Sequence, residues 1–215
     1  MNENLVALHP YICRYIDATE LFDCIKNKRI ILRDPKFWED KNDYFLIKQY
    51  IEGKGINNIY ASCFTSNDDA YHFWKIYANR PTGICIKFDT SKLFESIKKD
   101  PQTQCFRFDV VQYRALKDVT QNEVNINEYP FIKRLAFKAE EELRLFFEES
   151  KTDLPYRTLG VELDSIKEVV ISPLIRDEFA EGFLGIIKSA GDLSNIRVRR
   201  STILESSTWQ KQMQY

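Results

Sequence analysis

Glu140, Glu142 and Arg144 alternate with Glu141, Leu143 and Leu145 inside the run Lys133–Phe147. A period of two is strand spacing, and a strand would hold both carboxylates and the guanidinium on one face. Two carboxylates flanking a guanidinium form a polar floor suited to a site. Just before them, Phe131, Ile132, Leu135, Ala136 and Ala139 recur at helical spacing. One reading is therefore a helix to about Ala139 that hands over to a strand. The other is a single charged helix through Phe147 with a solvated glutamate run, and periodicity alone leaves the two even.

Three further clusters carry polar or aromatic groups, each with a bland competitor. Arg14 and Tyr15 lie on the first expected strand, where an edge charge and a core aromatic explain them. Ser62 and the pair Thr65-Ser66 stand at a strand end, where Ser66 could cap the helix that follows. Trp74 and Tyr77, three apart, share a helical face that a core stripe also explains. Several familiar sites are absent: there is no G-x-x-x-x-G-K-[ST], no G-x-G-x-x-G and no H-E-x-x-H. Two histidines do not supply a His-rich metal site, so no metal is expected. Nothing in the spacing promotes Cys63 and His72 as a nucleophile pair.

The elements that must position these groups follow from pattern and punctuation. Strands are expected within residues 8–16, 29–33, 59–65, 84–88, 106–113, 166–172 and 196–203. Helices are expected from a cap at Asp17 or Thr19 to Asn27, over Tyr44–Glu52, from Asp68 to Tyr77, over Ser91–Lys99 and over Asp177–Ala190. Phe37–Asp43 reads as a polar loop, Asp118–Glu128 as a mobile acidic loop and Lys151–Arg157 as a turn region. Gly160–Leu163 could join the sheet, and the tail after Glu205 reads as polar and frayed. The order does not alternate regularly enough for a doubly wound sheet. The expectation is an α+β fold: a single domain (1–215, core about 8–204) with a central mixed or antiparallel sheet of about seven short strands and four to five helices.

Composition narrows the class. With 31 basic and 32 acidic residues the formal net charge is −1, without the global footprint of a non-specific nucleic-acid binder. A local basic run remains at Arg197, Arg199 and Arg200. The chain is rich in aromatics, with 15 Phe, 11 Tyr and 3 Trp, and has only 7 Gly. Five cysteines, odd in number and widely spaced, form no C-x-x-C pair; Cys63 and Cys85 read as small buried thiols in strands. A reducing, cytoplasmic setting is expected, without signal peptide or membrane span.

Jointly, these residues resemble a bacterial family. Arg14-Tyr15, Ser62-Cys63-Phe64-Thr65, Trp74-x-x-Tyr77-Ala78, Gly83-Ile84-Cys85-Ile86-x-Phe88, Tyr113 and Lys133-x-x-x-Phe137-x-x-Glu140-x-Glu142-x-Arg144 occur in the order seen in the bacterial domain of unknown function 2971. A closing strand that runs into a serine, Val198-Arg199-Arg200-Ser201, extends the likeness, which spans roughly Tyr11 to Ile203. Phe137 stands where that family usually has Trp, and Asn42-Asp43-Tyr44-Phe45 replaces an Asn-Asp-Pro-Phe-Glu-like loop.

The layout is in turn similar to ADP-ribosyltransferase-like domains. That resemblance implies NAD as substrate, with Arg14 and Tyr15, Ser62, Trp74, Tyr77 and Arg144 as its binding residues. Arg14 would hold a pyrophosphate or ribose, while Ser62 or Tyr77 would shape the nicotinamide pocket. Glu142 would be the catalytic carboxylate stabilising an oxocarbenium-like transition state, kept ionised by Arg144, and Glu140 would orient the acceptor. The acceptor, nucleic acid or protein, stays open, as does a role as toxin or phage-defence effector. Two rivals stand beside this reading. One is a nucleic-acid-acting toxin or RNA-binding module using Trp74, Tyr77 and the Arg197–Arg200 run. The other is a non-catalytic binding domain in which Glu140, Glu142 and Arg144 form an internal salt-bridge lattice.

Overall fold

Alternation of apolar and polar residues in short runs, punctuated by Asp, Pro and Gly, divides the chain into eleven strands and seven α-helices among the described residues. The computed structural model describes residues 3–78, 80–118, 124–150, 154–191, 193 and 196–213. In chain order these are α1 (Glu3–Leu8), β1 (Tyr11–Asp17), α2 (Ala18–Asn27), β2 (Arg29–Arg33), α3 (Lys41–Lys54), β3 (Asn58–Thr65), α4 (Tyr71–Ile76), β4 (Gly83–Asp89) and α5 (Thr90–Lys99). They continue with β5 (Phe106–Val110), β6 (Gln112–Arg114), β7 (Ile132–Arg134), β8 (Glu142–Glu149), β9 (Tyr156–Gly160), β10 (Ile166–Ile171), α6 (Asp177–Ser189), β11 (Arg197–Arg200) and α7 (Ser207–Gln212). The architecture is α+β, with one nine-stranded mixed sheet and a separate parallel pair, β6–β7. No helix among the described residues is long and apolar enough to cross a membrane.

The sheet is organised around β3. One edge of β3 pairs antiparallel with β8 over its whole length, from Asn58 opposite Glu149 to Thr65 opposite Glu142. The other edge meets β1 only at Thr65 (opposite Cys13) and β2 only at Ala61 (opposite Arg33). Between these two contacts the ladder is interrupted. Arg14 fills the gap, donating to the carbonyl of Ile31 (3.3 Å) and to Glu20. β8 pairs on both edges, with β3 and β5, and a hydrophobic cluster packs on each of its faces, so its residues are nearly all buried and it serves as a platform.

The largest hydrophobic cluster packs α2, α5 and α6 against the sheet and includes Leu21, Ile86, Phe88, Leu93, Leu143 and Leu145. A second cluster, around Ile47, Tyr50, Ile59, Phe131 and Phe146, fastens α3 to the opposite face. A small third cluster of Cys13, Trp74, Ala78, Cys85 and Val170 lies under α4.

Several expectations need correction. Helix α3 begins at Lys41, inside the stretch that reads as a loop, because the Asp40 carboxylate accepts from the amides of Asn42 (2.9 Å) and Asp43 (3.3 Å). The helical spacing over 131–139 does not produce an α-helix. Phe131 ends a 3-10 turn that contains Pro130, β7 follows, and Leu135–Glu140 is a second 3-10 turn. Leu135 is exposed, so the spacing marks no buried helical face. Nor do Ser66 to Asp69 cap α4, whose N-cap is Ala70 with no side-chain bond. Strand 106–113 is split into β5 and β6, with Val111 donating to the carbonyl of Glu142 (2.8 Å). Within the expected Asp118–Glu128 loop and Lys151–Arg157 turn, residues 119–123 and 151–153 lie outside the described residues. The tail carries the short helix α7.

Candidate active site

A cavity of about 1000 Å³ opens where the start of β8, the end of β3, the middle of β1, helix α4 and the N-terminal turn of α3 converge. Its size is that of a pocket for a nucleotide-sized ligand. Arg144 forms the deepest part, fully buried. Its Nε donates to Glu142 Oε1 (2.6 Å) and one terminal nitrogen to Glu142 Oε2 (2.9 Å) and to Asp43. The other terminal nitrogen donates to Asp43 Oδ1 (2.7 Å) and the Pro130 carbonyl (3.0 Å). These five bonds use all five guanidinium donors, so Arg144 has none left for a ligand. The planar group also lies over the Trp38 ring, 4.9 Å from its centroid.

The chain reaches this arrangement through a left-handed residue. Glu141, at φ 42°, ends the 3-10 turn Leu135–Glu140 and reverses direction into β8. A non-glycine residue in this conformation needs surrounding contacts to hold it. Here the Thr65 hydroxyl donates to the Glu140 carbonyl (2.7 Å), and Ser66 donates from its amide to the Glu141 carbonyl and from its hydroxyl to the Glu141 carboxylate (2.7 Å). Glu140 is thus not a strand residue alternating with Glu142. The reversal brings the two carboxylates together, and Lys133 bridges them at 2.5 Å and 3.2 Å. Lys133 arrives on β7 directly beside Tyr113 of β6, whose hydroxyl accepts from the Glu142 amide (2.8 Å). The small parallel pair therefore delivers two groups to one residue.

Electrostatics follow from this packing. Burial alone would push Glu142 up, but Arg144 and Lys133 outweigh it and hold the carboxyl well below the usual range. For Asp43 burial prevails over Arg144, and its carboxyl is pushed up. Burial disfavours the Lys133 ammonium, yet Glu142 and Glu140 keep it protonated more firmly than a free lysine. Three carboxylates around two cations leave one surplus negative charge.

The walls differ from the floor in being aromatic. Tyr15, Phe37, Trp38, Phe73, Tyr77 and Phe137 face the cavity, and Phe37 and Tyr77 are 75% and 45% exposed. The Tyr77 hydroxyl donates to Glu140 Oε1 (2.5 Å) and its pKa is raised by burial and by that carboxylate. Cys63 also lines the cavity. Its side chain is exposed to solvent there although protein surrounds it, and burial together with Glu142 raises the thiol. This corrects the reading of Cys63 as a buried thiol, whereas Cys85 is fully buried. His72 leaves its Nε2 without a partner and stacks on Phe73, and the polar neighbour of Cys63 is Glu142 rather than an imidazole.

Of the residues singled out by sequence, Glu140, Glu142, Arg144, Tyr15 and Tyr77 line the cavity. Arg14, Ser62 and Trp74 do not. Arg14 and Ser62 alternate with Tyr15 and Cys63 on their strands and so point to the other face. Arg14 is spent on Glu20 and Ile31, and the Ser62 hydroxyl is buried without a partner. Trp74 is fully buried on the inner face of α4, with its indole N–H on Asp69 (2.9 Å). None of the three β11 arginines lines the cavity: Arg197 and Arg199 pair with Glu168, and Arg200 with Asp177. Sequence reasoning missed Asp43, Trp38 and the roles of Lys133 and Cys63. The one available signal was Asp40, a cap residue placed so that Asp43 falls in the first turn of a helix. Among the described residues no group of three or more His, Cys, Asp or Glu is placed to hold a metal ion.

A family model described as protein of unknown function (DUF2971) matches residues 73–145, from within α4 to within β8. That span holds Tyr77, Lys133, Glu140, Glu142 and Arg144; it excludes Tyr15 and Asp43. No curated protein matches the chain. Among solved structures, Thermus sp. 2.9 DarT in complex with NAD+ is similar at 10% identity and a TM-score of 0.44, covering 90% of this chain and 96% of that one.

Proposed function

We propose that the cavity binds NAD as substrate and cleaves its nicotinamide–ribose bond, transferring ADP-ribose to a macromolecular acceptor. The observation that carries this reading is Glu142: an ionised carboxylate held at the floor of an aromatic-walled cavity by Arg144 and Lys133. Breaking the bond sends its electron pair to the pyridinium nitrogen, so nicotinamide leaves neutral and positive charge develops at the ribose carbon. A fixed carboxylate in a partly dry site stabilises that charge without reorganising, an effect worth about 10²–10³-fold per well-placed group. Aromatic side chains such as Tyr15 and Trp38 would pack the planar rings of the dinucleotide. Glu140, tied to Tyr77 and Lys133, would take the proton the acceptor loses.

The reading differs from the sequence expectation in what holds the phosphates. Arg14 is on the far face and Arg144 has no donor free. Lys41, exposed at the mouth of the cavity, donates to a neutral carbonyl, that of Trp38 (2.8 Å), and is the cation we assign to the pyrophosphate.

A non-catalytic binding domain is the second reading, and the saturation of Arg144 favours it, because an internal lattice of that kind is complete without a ligand. Nicotinamide release from NAD, followed chromatographically in wild type and Glu142→Gln, separates the two. Turnover that disappears in the variant, with a folded protein by circular dichroism, supports catalysis. No release by wild type under any acceptor condition supports the binding domain.

A further inference from the structure

We propose that Asp69 is a positioning residue for the cavity, fastening α4 and therefore Tyr77 to the closing strand through Ser201. This rests on the reading of the cavity as an NAD site for its kinetic test, and on geometry alone for its labelling test. Helix α4 is six residues long and lacks a side-chain cap. A helix so short does not hold itself in place, yet it supplies Phe73 and Ile76, and its C-cap Tyr77, to one wall.

Two anchors hold it. At its C-terminal end Gly83 packs against Ala78 so closely that a Cβ there would fall 1.9 Å from the Ala78 carbonyl oxygen. At its N-terminal end the Asp69 carboxylate accepts from the Trp74 indole (2.9 Å) and from the Ser201 hydroxyl, which lies 2.7 Å and 2.8 Å from its two oxygens. Ser201 is 132 residues away in sequence from Asp69. It is itself fixed: its amide donates to Ile171 (3.0 Å) and its hydroxyl oxygen accepts from the amide of Ile203 (3.2 Å). Tyr15 wedges under the helix, stacked on Phe73 at 4.9 Å and edge-on to Trp74 at 5.0 Å.

Trp74 and Ser201 are 0% and 4% exposed, so removing the Asp69 carboxylate leaves two buried donors without their acceptor. The floor would not notice, because Glu142, Arg144 and Lys133 stand on β8 and β7. The wall would loosen, and Tyr77 would lose its fixed approach to Glu140.

The test uses Asp69→Ala and Ser201→Ala in the full chain, with Ser201→Thr as the variant that keeps the hydroxyl. Two readouts are taken below the melting temperature: steady-state cleavage of NAD, and the rate at which a thiol reagent labels Cys63, mapped by mass spectrometry. KM for NAD should rise on the order of tenfold, as for loss of one charge-assisted hydrogen bond, while kcat stays within about threefold. Cys63 labelling should accelerate in both variants, and Ser201→Thr should restore both values. A lowered melting temperature with KM and labelling unchanged would show a merely structural contact and overturn the proposal. A fall in kcat at constant KM would overturn it equally. If wild type does not cleave NAD, the functional reading fails, and unchanged Cys63 labelling would separately sink the latch.

Discussion

The floor and the α4 wall of the cavity are held by opposite means. The floor is a platform strand covered on both edges, with buried Arg144, Glu142 and Asp43 and half-buried Lys133 interlocked by charge-assisted hydrogen bonds. The wall is a six-residue helix with the exposed side chains of Ile76 and of its C-cap Tyr77, pinned at its two ends. A buried, saturated ion network is costly to break yet is a weak source of net stability, because desolvation offsets most of the attraction. What it supplies is a fixed carboxylate. The wall supplies adaptable aromatic surface. The division suits a reaction in which charge develops at one fixed point while a large ligand enters and leaves.

Breaking the floor should have the larger consequence. Arg144→Ala leaves Glu142 and Asp43 buried without their cation and should cost about 3–5 kcal/mol of unfolding free energy, measured by urea titration. Lys133→Met keeps the stem but leaves Glu140 and Glu142 facing each other. It should cost about 1–3 kcal/mol, the scale for buried charged hydrogen bonds, and depress NAD cleavage more than NAD binding. Equal stability of Lys133→Met and wild type would show that the bridge contributes nothing. Lys41→Ala touches neither anchor of α4 and should raise KM about tenfold while leaving the melting temperature within a degree or so.

At the small end, Tyr77→Phe removes one hydroxyl and its bond to Glu140 from a half-exposed residue, and should change KM by about two- to fivefold, with little effect on stability.

Acid sharpens the same contrast. The folded value of Glu142 lies below its ordinary 4.5, so its stabilising contribution is complete above that pH and fades as pH falls through the lowered value. Asp43 has the opposite sign: its folded value lies above the ordinary 3.8, so it takes a proton first and the folded state gains from that proton. The destabilisation caused by Glu142→Gln should therefore persist down to pH 4.5 and shrink only below it. A difference that vanishes already at pH 6 contradicts the arrangement.

Much of the scaffold was readable from pattern. The strands around Tyr60, Ile86 and Val169, the helix capped by Asp17 and the amphipathic helix ending at Lys99 lie where alternation, capping and helical spacing place them. The pairing of Glu140 with Glu142 was readable as an outcome but not as a cause. It comes from the left-handed Glu141 and the stitches from Thr65 and Ser66, which no periodicity encodes. Arg14 shows a different gap. It cannot share a strand face with Tyr15, so period-two alternation already argued against placing both in one site. Asp43 was out of reach for a physical reason: it meets Arg144 across 101 residues of sequence, and Asn42-Asp43 has the composition of a turn. Long-range charge pairing leaves no local signature, whereas caps and alternation do.

Glu142, fixed by Arg144 and Lys133, is the group we propose to promote cleavage of the nicotinamide–ribose bond. Nicotinamide released from NAD by wild type and by Glu142→Gln, at a temperature where both are folded, tests this role most directly. Release by wild type and a loss of about 10²–10³-fold in the variant are expected. Release that continues undiminished in Glu142→Gln would contradict that role.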